Sequence, residues 1–207
     1  MFIYLFDNCN SKIYSKCVPR RHAVDYAALA KRLRTLLIGG PSSGQESVAV
    51  LRVSQSTFSR LVARLQGEIL TVGRGSRTRY ALRRGVAGAG ETVPVYRIDE
   101  SGKAARLGIL HAIRPAGFYF DSEKPSGDSR FFPDLPYFAF DLRPSGFLGR
   151  LIPKRHPELD LPERVQDWSA DDCLRWLAAH GSDLIGDLIL GDAAFKKAPR
   201  SVYTANE

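Results

Sequence analysis

Residues 42–84 read SSGQESVAVLRVSQSTFSRLVARLQGEILTVGRGSRTRYALRR, and the succession of patterns in this stretch decides the architecture. Ser43, with Glu46 three residues on, is a capping-box pattern: the hydroxyl accepts from the helix backbone while the carboxylate reaches back. Val48 and Leu51 follow as inward residues of that helix, and Arg52-Val53 turn the chain to Ser54, a good cap for another helix. There Phe58, Leu61, Val62 and Leu65 form one apolar stripe, which at about 100° per residue leaves Ser56, Ser59, Arg60 and Ala63 on the opposite side. Ile69–Val72 and Thr78–Leu82 then read as paired strands around Gly73-Arg74-Gly75-Ser76, with Arg74, Arg77, Arg79, Arg83 and Arg84 crowding the hairpin and its exit. Two short helices, a tight turn and an arginine-loaded hairpin are the sequence form of a winged helix-turn-helix, which implies double-stranded DNA as a partner.

The expected contacts follow from residue chemistry. A small, polar, singly charged helix face suits a major groove, so Gln55, Ser56, Ser59 and Arg60 are the candidate base-reading residues. Arg74, Arg77 and Arg79 would repel one another unless anions sit beside them, and a DNA backbone supplies those anions. The alternative for both sets is an ordinary solvated face. Charge distribution favours DNA: the net +8 is concentrated in residues 19–84, with 13 Lys/Arg against 3 Asp/Glu, whereas residues 85–207 hold 15 against 18. Arg52 stands in the turn where glycine is common; if that position requires positive φ, it costs about 1 kcal/mol.

Upstream, Tyr26, Leu29, Ala30, Leu33 and Leu37 recur at helical spacing until Gly39-Gly40-Pro41, so the DNA-binding domain is expected over residues 22–84. Residues 1–21 show no period and read as an appendage. Residues 85–91, beginning GVAGAG, read as a flexible linker; a phosphate cradle would need a strand-to-helix context with Lys or Ser/Thr, which this segment lacks. A second domain over residues 92–195 carries strand patterns at Val93–Ile98, Ala105–Ile113, Gly117–Phe120 and Leu188–Leu190. Brief helices are expected from Pro133, and Ser169 caps a clear helix from Ala170 to His180. Residues 196–207 read as an irregular tail. The fold class is therefore α+β, a winged helix-turn-helix followed by a small mixed domain.

Other chemistries find little support. Cys9, Cys17 and Cys173 lack metal-ligand spacing, and His22, His111, His156 and His180 are scattered with no recognisable triad. No catalytic residue, metal or cofactor is expected. Asp171-Asp172 are explained by the helix dipole, and Lys154-Arg155-His156 reads as a partner-docking cluster or a solvated loop. Phe131, Phe132, Tyr137, Phe138, Phe140 and Phe147 are expected in the core, or on a binding face if part of that surface is exposed. The opening MFIYLF reaches Asp7 too soon for a signal peptide or a membrane span, so a cytoplasmic location without membrane contact is expected.

Asp141-Leu142-Arg143-Pro144, Gly146-Phe147-Leu148-Gly149-Arg150 and Gly186-Asp187-Leu188-Ile189-Leu190-Gly191, placed behind the residue 42–84 module, resemble HipA-family proteins of the YjjJ-like branch. The resemblance covers about residues 24–195. It implies a winged helix-turn-helix followed by a HipA N-terminal subdomain, a serine/threonine kinase body in the family at large, and a toxin–antitoxin context. The likeness stops about a dozen residues before residue 207, so no kinase residue is carried over and no enzyme activity is expected. The resemblance implies a transcriptional regulator with a protein-docking second domain. The alternatives are a truncated kinase toxin without its catalytic lobe and an antitoxin-like inhibitor of a separate HipA-type kinase. A homodimer on two half-sites is compatible with each.

Overall fold

The structure is a computed structural model describing residues 24–124, 129–183 and 187–198. The expectations for residues 1–21, Cys9, Cys17, His22, Gly186, the Phe147 side chain and residues 199–207 lie outside what it describes.

Asp25 starts the first helix, α1 (Tyr26–Ile38), accepting from Ala27 N and Ala28 N at 3.0 Å each. Leu29, Ala30, Leu33 and Leu37 form its buried stripe. After a two-residue strand, β1 (Ser42–Ser43), comes α2 (Gly44–Leu51), whose capping box is complete: Ser43 Oγ accepts from Glu46 N, and Glu46 Oε2 accepts from Ser43 N. Arg52 adopts the left-handed conformation at φ 55°, ψ 48°, so the turn requires the positive φ that glycine provides without strain. Ser54 caps α3 (Gln55–Arg64) through Thr57 N, and this helix buries Phe58 and Leu61. Strands β2 (Ile69–Val72) and β3 (Arg79–Leu82) complete an antiparallel sheet of order β1-β3-β2. Phe58 meets Tyr80 edge-on at 5.1 Å, fixing α3 against the central strand.

Side-chain alternation gives this small sheet two buried faces. Ile69, Tyr80 and Leu82 face the helices, whereas Leu70, Val72 and Ala81 form a separate cluster with Ile113 and Tyr119 from the rest of the chain.

That second part is built on β4 (Thr92–Ile98), β5 (Ala104–Ala112), β6 (Phe118–Ser122) and β7 (Arg130–Phe132). The helices α4 (Tyr137–Phe140), α5 (Gly146–Arg155) and α6 (Ala170–His180) follow, then β8 (Leu188–Leu190) and α7 (Asp192–Lys197). The sheet is antiparallel throughout, of order β7-β6-β5-β4-β8. Its core joins Val95, Leu110, Phe118 and Leu190 to Trp168, Leu174 and Leu177. Gly108 sits where β5 crosses Phe120: an added Cβ would lie 2.2 Å from Asp121 O and 2.8 Å from the Phe120 ring, so only hydrogen fits. The fold is thus mixed α+β with two antiparallel sheets.

The expected flexible linker is corrected by the structure. Val86 is buried, and its N–H and C=O both pair with Gly90 to close a tight turn. Arg175 on α6 holds that turn by donating to Ala87 O at 3.0 Å. Gly88 and Gly90 serve this turn through positive φ values of 76° and 86°, while Val86 anchors it in the core.

Candidate nucleic-acid interface

On α3 the apolar stripe is inside and Gln55, Ser56, Ser59, Arg60 and Ala63 are all exposed. Ser56 Oγ is 3.0 Å from the capping Ser54 Oγ, leaving the hydroxyl at the helix start with further hydrogen-bonding capacity. Arg60 has no partner among the described residues, whereas Arg64 is folded back over the Tyr26 ring, 3.9 Å from its centroid. Arg52, noted in the sequence only as a departure from glycine, is exposed and unpaired at the turn preceding α3. The sequence signal was a non-glycine residue in a turn where glycine is common, and the structure shows that this turn is left-handed at Arg52.

The hairpin tip closes through Gly73 at φ 80°, where a Cβ would come within 2.7 Å of Arg77 O. This close return, with Arg77 N donating to Arg74 O at 3.2 Å, brings Arg74 and Arg77 to one tip. Both are exposed and have no partner among the described residues. Arg79 is also exposed and unpaired, but β3 alternation places it with Ala81 on the sheet face turned from the helices, opposite Val72. It therefore does not share a face with Arg60.

The other two hairpin arginines have structural roles. Arg83 pairs with His111 Nδ1 at 3.0 Å; a guanidinium only donates, so Nδ1 accepts and His111 carries its proton on Nε2. Burial, and then the Arg83 charge, hold the His111 pKa below its ordinary value. Arg84 is buried: Nε donates to Ile113 O at 2.8 Å, Nη2 to Gly117 O at 3.3 Å and to Asp171 Oδ1 at 2.8 Å, and Nη1 completes a bidentate pair with Asp171. Asp171 thus does more than oppose a helix dipole, because it receives the arginine that joins the head to the body. Asp172 completes the Ser169 capping box.

On the body, α4 corrects part of the expected aromatic core. Ala139 is fully buried and Phe138 meets Phe120 edge-on at 5.2 Å, but Tyr137 and Phe140, three residues apart on one helical face, are 61% and 50% exposed. With Phe131, Phe132 and Leu135 they line a shallow groove flanked by Arg130 and Asp141. Cys173 is buried, and Arg143 Nε donates to its Sγ at 3.1 Å; desolvation pushes the thiol pKa up, so it is a poor nucleophile.

The histidines expected to be scattered are also corrected in part. His156 Nδ1 lies 3.0 Å from Glu158 Oε1, His180 Nε2 lies 3.7 Å from the same oxygen, and the two rings are 4.0 Å apart. The ends of α5 and α6 converge, which a 24-residue separation in sequence conceals. Glu158 is held below the usual carboxylate range, first by a backbone hydrogen bond within its own residue and then by His156.

Comparison with known proteins bears on the body. Residues 89–199 match the family described as the YjjJ-like toxin, middle domain. The chain belongs to the YjjJ-like toxin family. It is 35% identical over 166 residues to Toxin YjjJ of Escherichia coli (strain K12), an alignment covering 80% of this chain and 37% of that protein. The chain thus spans little more than a third of the length of the curated relative it matches. No solved structure matches it significantly. Within the family's middle domain fall β4 to β8, α4 to α7 and the His156–Glu158–His180 cluster, whereas the arginine-bearing hairpin precedes it. Among the described residues no helix is long and apolar enough to cross a membrane.

Proposed function

We propose that this YjjJ-like chain is a sequence-specific DNA-binding protein of a HipA-type toxin–antitoxin system, a transcriptional regulator acting in the cytoplasm without enzyme activity of its own. Its first three helices and small sheet serve as a winged helix-turn-helix. Gln55, Ser56, Ser59 and Arg60 read bases in the major groove, Arg74 and Arg77 hold phosphates from the hairpin tip, and Arg79 reaches a phosphate from its flank. The observation that carries this reading is that Arg52 on the turn before α3, Arg60 on α3 and Arg74 and Arg77 at the hairpin tip are all exposed and have no internal side-chain partner among the described residues. Charges without internal partners contribute nothing to the fold and are free for an external polyanion.

The body, read as a HipA N-terminal subdomain, docks a protein partner through the groove at Tyr137 and Phe140, since exposed aromatics beside cations are typical of contact surfaces. Selection from a random duplex pool, followed by anisotropy titrations in a salt series, tests the DNA reading. An enriched motif with a steep salt slope supports it; no enrichment over competitor DNA overturns it.

A second reading rests on the resemblance to HipA-family proteins and is compatible with the name of the relative, Toxin YjjJ: the chain is part of a HipA-type serine/threonine kinase toxin, or an antitoxin-like partner of a separate kinase. Incubation with radiolabelled ATP and a model protein separates this from the first reading's negative on catalysis. Phosphate incorporation by the isolated chain would refute that negative.

A further inference from the structure

The cluster joining α5 to α6 lies outside the proposed DNA interface and its chemistry is different. We propose that His156, Glu158 and His180 bind a divalent transition-metal ion of the zinc class, which clamps the ends of these two helices together.

The geometry is near what such an ion needs. One donor atom from each residue can be chosen so that all three lie within 4.8 Å of one another. A tetrahedral ion with bonds of about 2.0–2.1 Å separates its ligands by roughly 3.3 Å. The Glu158 oxygen already sits 3.0 Å from His156 Nδ1 and 3.7 Å from His180 Nε2, straddling that spacing. Rotation of the two rings about their side-chain bonds is the adjustment that binding the ion would require.

Donor type selects the metal. Two imidazoles with one carboxylate suit zinc, nickel or copper, whereas magnesium and calcium favour all-oxygen shells. Three protein ligands leave a fourth tetrahedral position for water or a ligand from a partner. The exposed Glu158 and half-buried histidines leave the site accessible.

The surroundings also favour a cation. His156 is the cap residue at the C-terminal end of α5, and His180 is the last residue of α6. Both helices therefore direct their partially negative ends at the cluster. The loop bearing Glu158 is held in place before any metal arrives. Pro157 starts its 3-10 turn, and Arg175 on α6 donates to Leu159 O at 2.9 Å and to Asp160 O at 3.1 Å. Cys173 is committed to the core and Arg143, so it does not compete as a ligand.

The test uses the full chain stripped with a chelator and titrated with zinc chloride against a chromophoric competitor. The expected result is about one zinc ion per chain, bound at micromolar concentration or tighter and retained in a Cys9→Ser/Cys17→Ser variant. His156→Ala, His180→Ala and the surface change Glu158→Gln each weaken uptake. The histidine changes do so by more than about 100-fold, beyond the loss typical of an outer-shell partner. Cobalt gives intense tetrahedral visible bands in the parent and not in the histidine variants. Zinc raises the thermal midpoint of the parent but not of Glu158→Gln/His180→Ala. Failure to take up zinc at micromolar concentration, or uptake unchanged by both histidine substitutions, overturns the proposal.

Discussion

Arg74→Gln/Arg77→Gln tests the proposed DNA contact most directly, because both side chains are exposed and unpaired and their loss should leave the fold within about 0.5 kcal/mol of the parent. If each guanidinium neutralises one phosphate, each contributes about −0.9 to the slope of log K against log salt, so the double change flattens the slope by about 1.8. Referred to 1 M salt, where counterion release no longer favours binding, that slope corresponds to about 30-fold weaker binding at roughly 0.15 M salt, or about 2 kcal/mol. Between about 50 and 200 mM salt the parent should lose roughly 12-fold more affinity than the variant. Fluorescence anisotropy on the selected duplex and on a scrambled one measures both quantities. The loss should be the same on both duplexes, because phosphates carry no sequence information. Arg79→Gln, on the opposite face of the sheet, should flatten the slope by less than either tip residue. A double variant with an unchanged slope, or a loss confined to the selected sequence, would refute phosphate contact by the hairpin tip.

Three further outcomes are expected. Arg60→Ala should cost about 1–3 kcal/mol on the preferred site, relax specificity at one base position and leave the salt slope almost unchanged; a uniform loss on all duplexes would reassign Arg60 to the backbone. Arg84→Met removes the donor for two backbone carbonyls and half of a bidentate pair whose Asp171 partner is 36% exposed and can rehydrate. A destabilisation of about 2–3 kcal/mol in urea melts is expected, below the range for a wholly buried pair, and a change under about 0.5 kcal/mol would show that the pair does not join head to body. His111 has a folded-state pKa below its unfolded value of about 6.5, so the unfolded chain binds more protons as pH falls. Stability should be flat with respect to this group above about pH 6.5 and decline at up to roughly 1.4 kcal/mol per pH unit below it. His111→Gln should reduce that decline, and identical pH profiles for parent and variant would remove His111 as its source.

Features encoded within a few residues were legible in the sequence. The capping box at Ser43–Glu46 and the cap at Ser169 depend on residues within one turn, and both form; that Asp172 completes a second box at Ser169 was not read from the sequence. Strands β4, β5 and β6 lie within a residue or two of their expected limits because alternation and turn residues mark them locally. What escaped depends on distant neighbours. Ser42 and Ser43 form a strand only because Tyr80 and Arg79 lie opposite, and Arg84 finds Asp171 87 residues away. The two histidines likewise meet only when α5 and α6 pack.

One overlooked signal was local. Ile69-Leu70-Thr71-Val72 and Tyr80-Ala81-Leu82 are nearly continuous apolar runs, whereas a wing with one solvated face should alternate. Burial of Leu70, Val72 and Ala81 against Ile113 and Tyr119 is the consequence, and it changes how the candidate site must be read. The sheet does not project freely on a tether. Its base is joined to the body through Arg84 N to Ala112 O, Arg114 N to Leu82 O and the buried Arg84–Asp171 pair, so only the tip from Gly73 to Thr78 is available for insertion. This is why Arg74 and Arg77 are assigned the main phosphate contacts while Arg79, nearer the base and on the face shared with that junction, is assigned a lesser one.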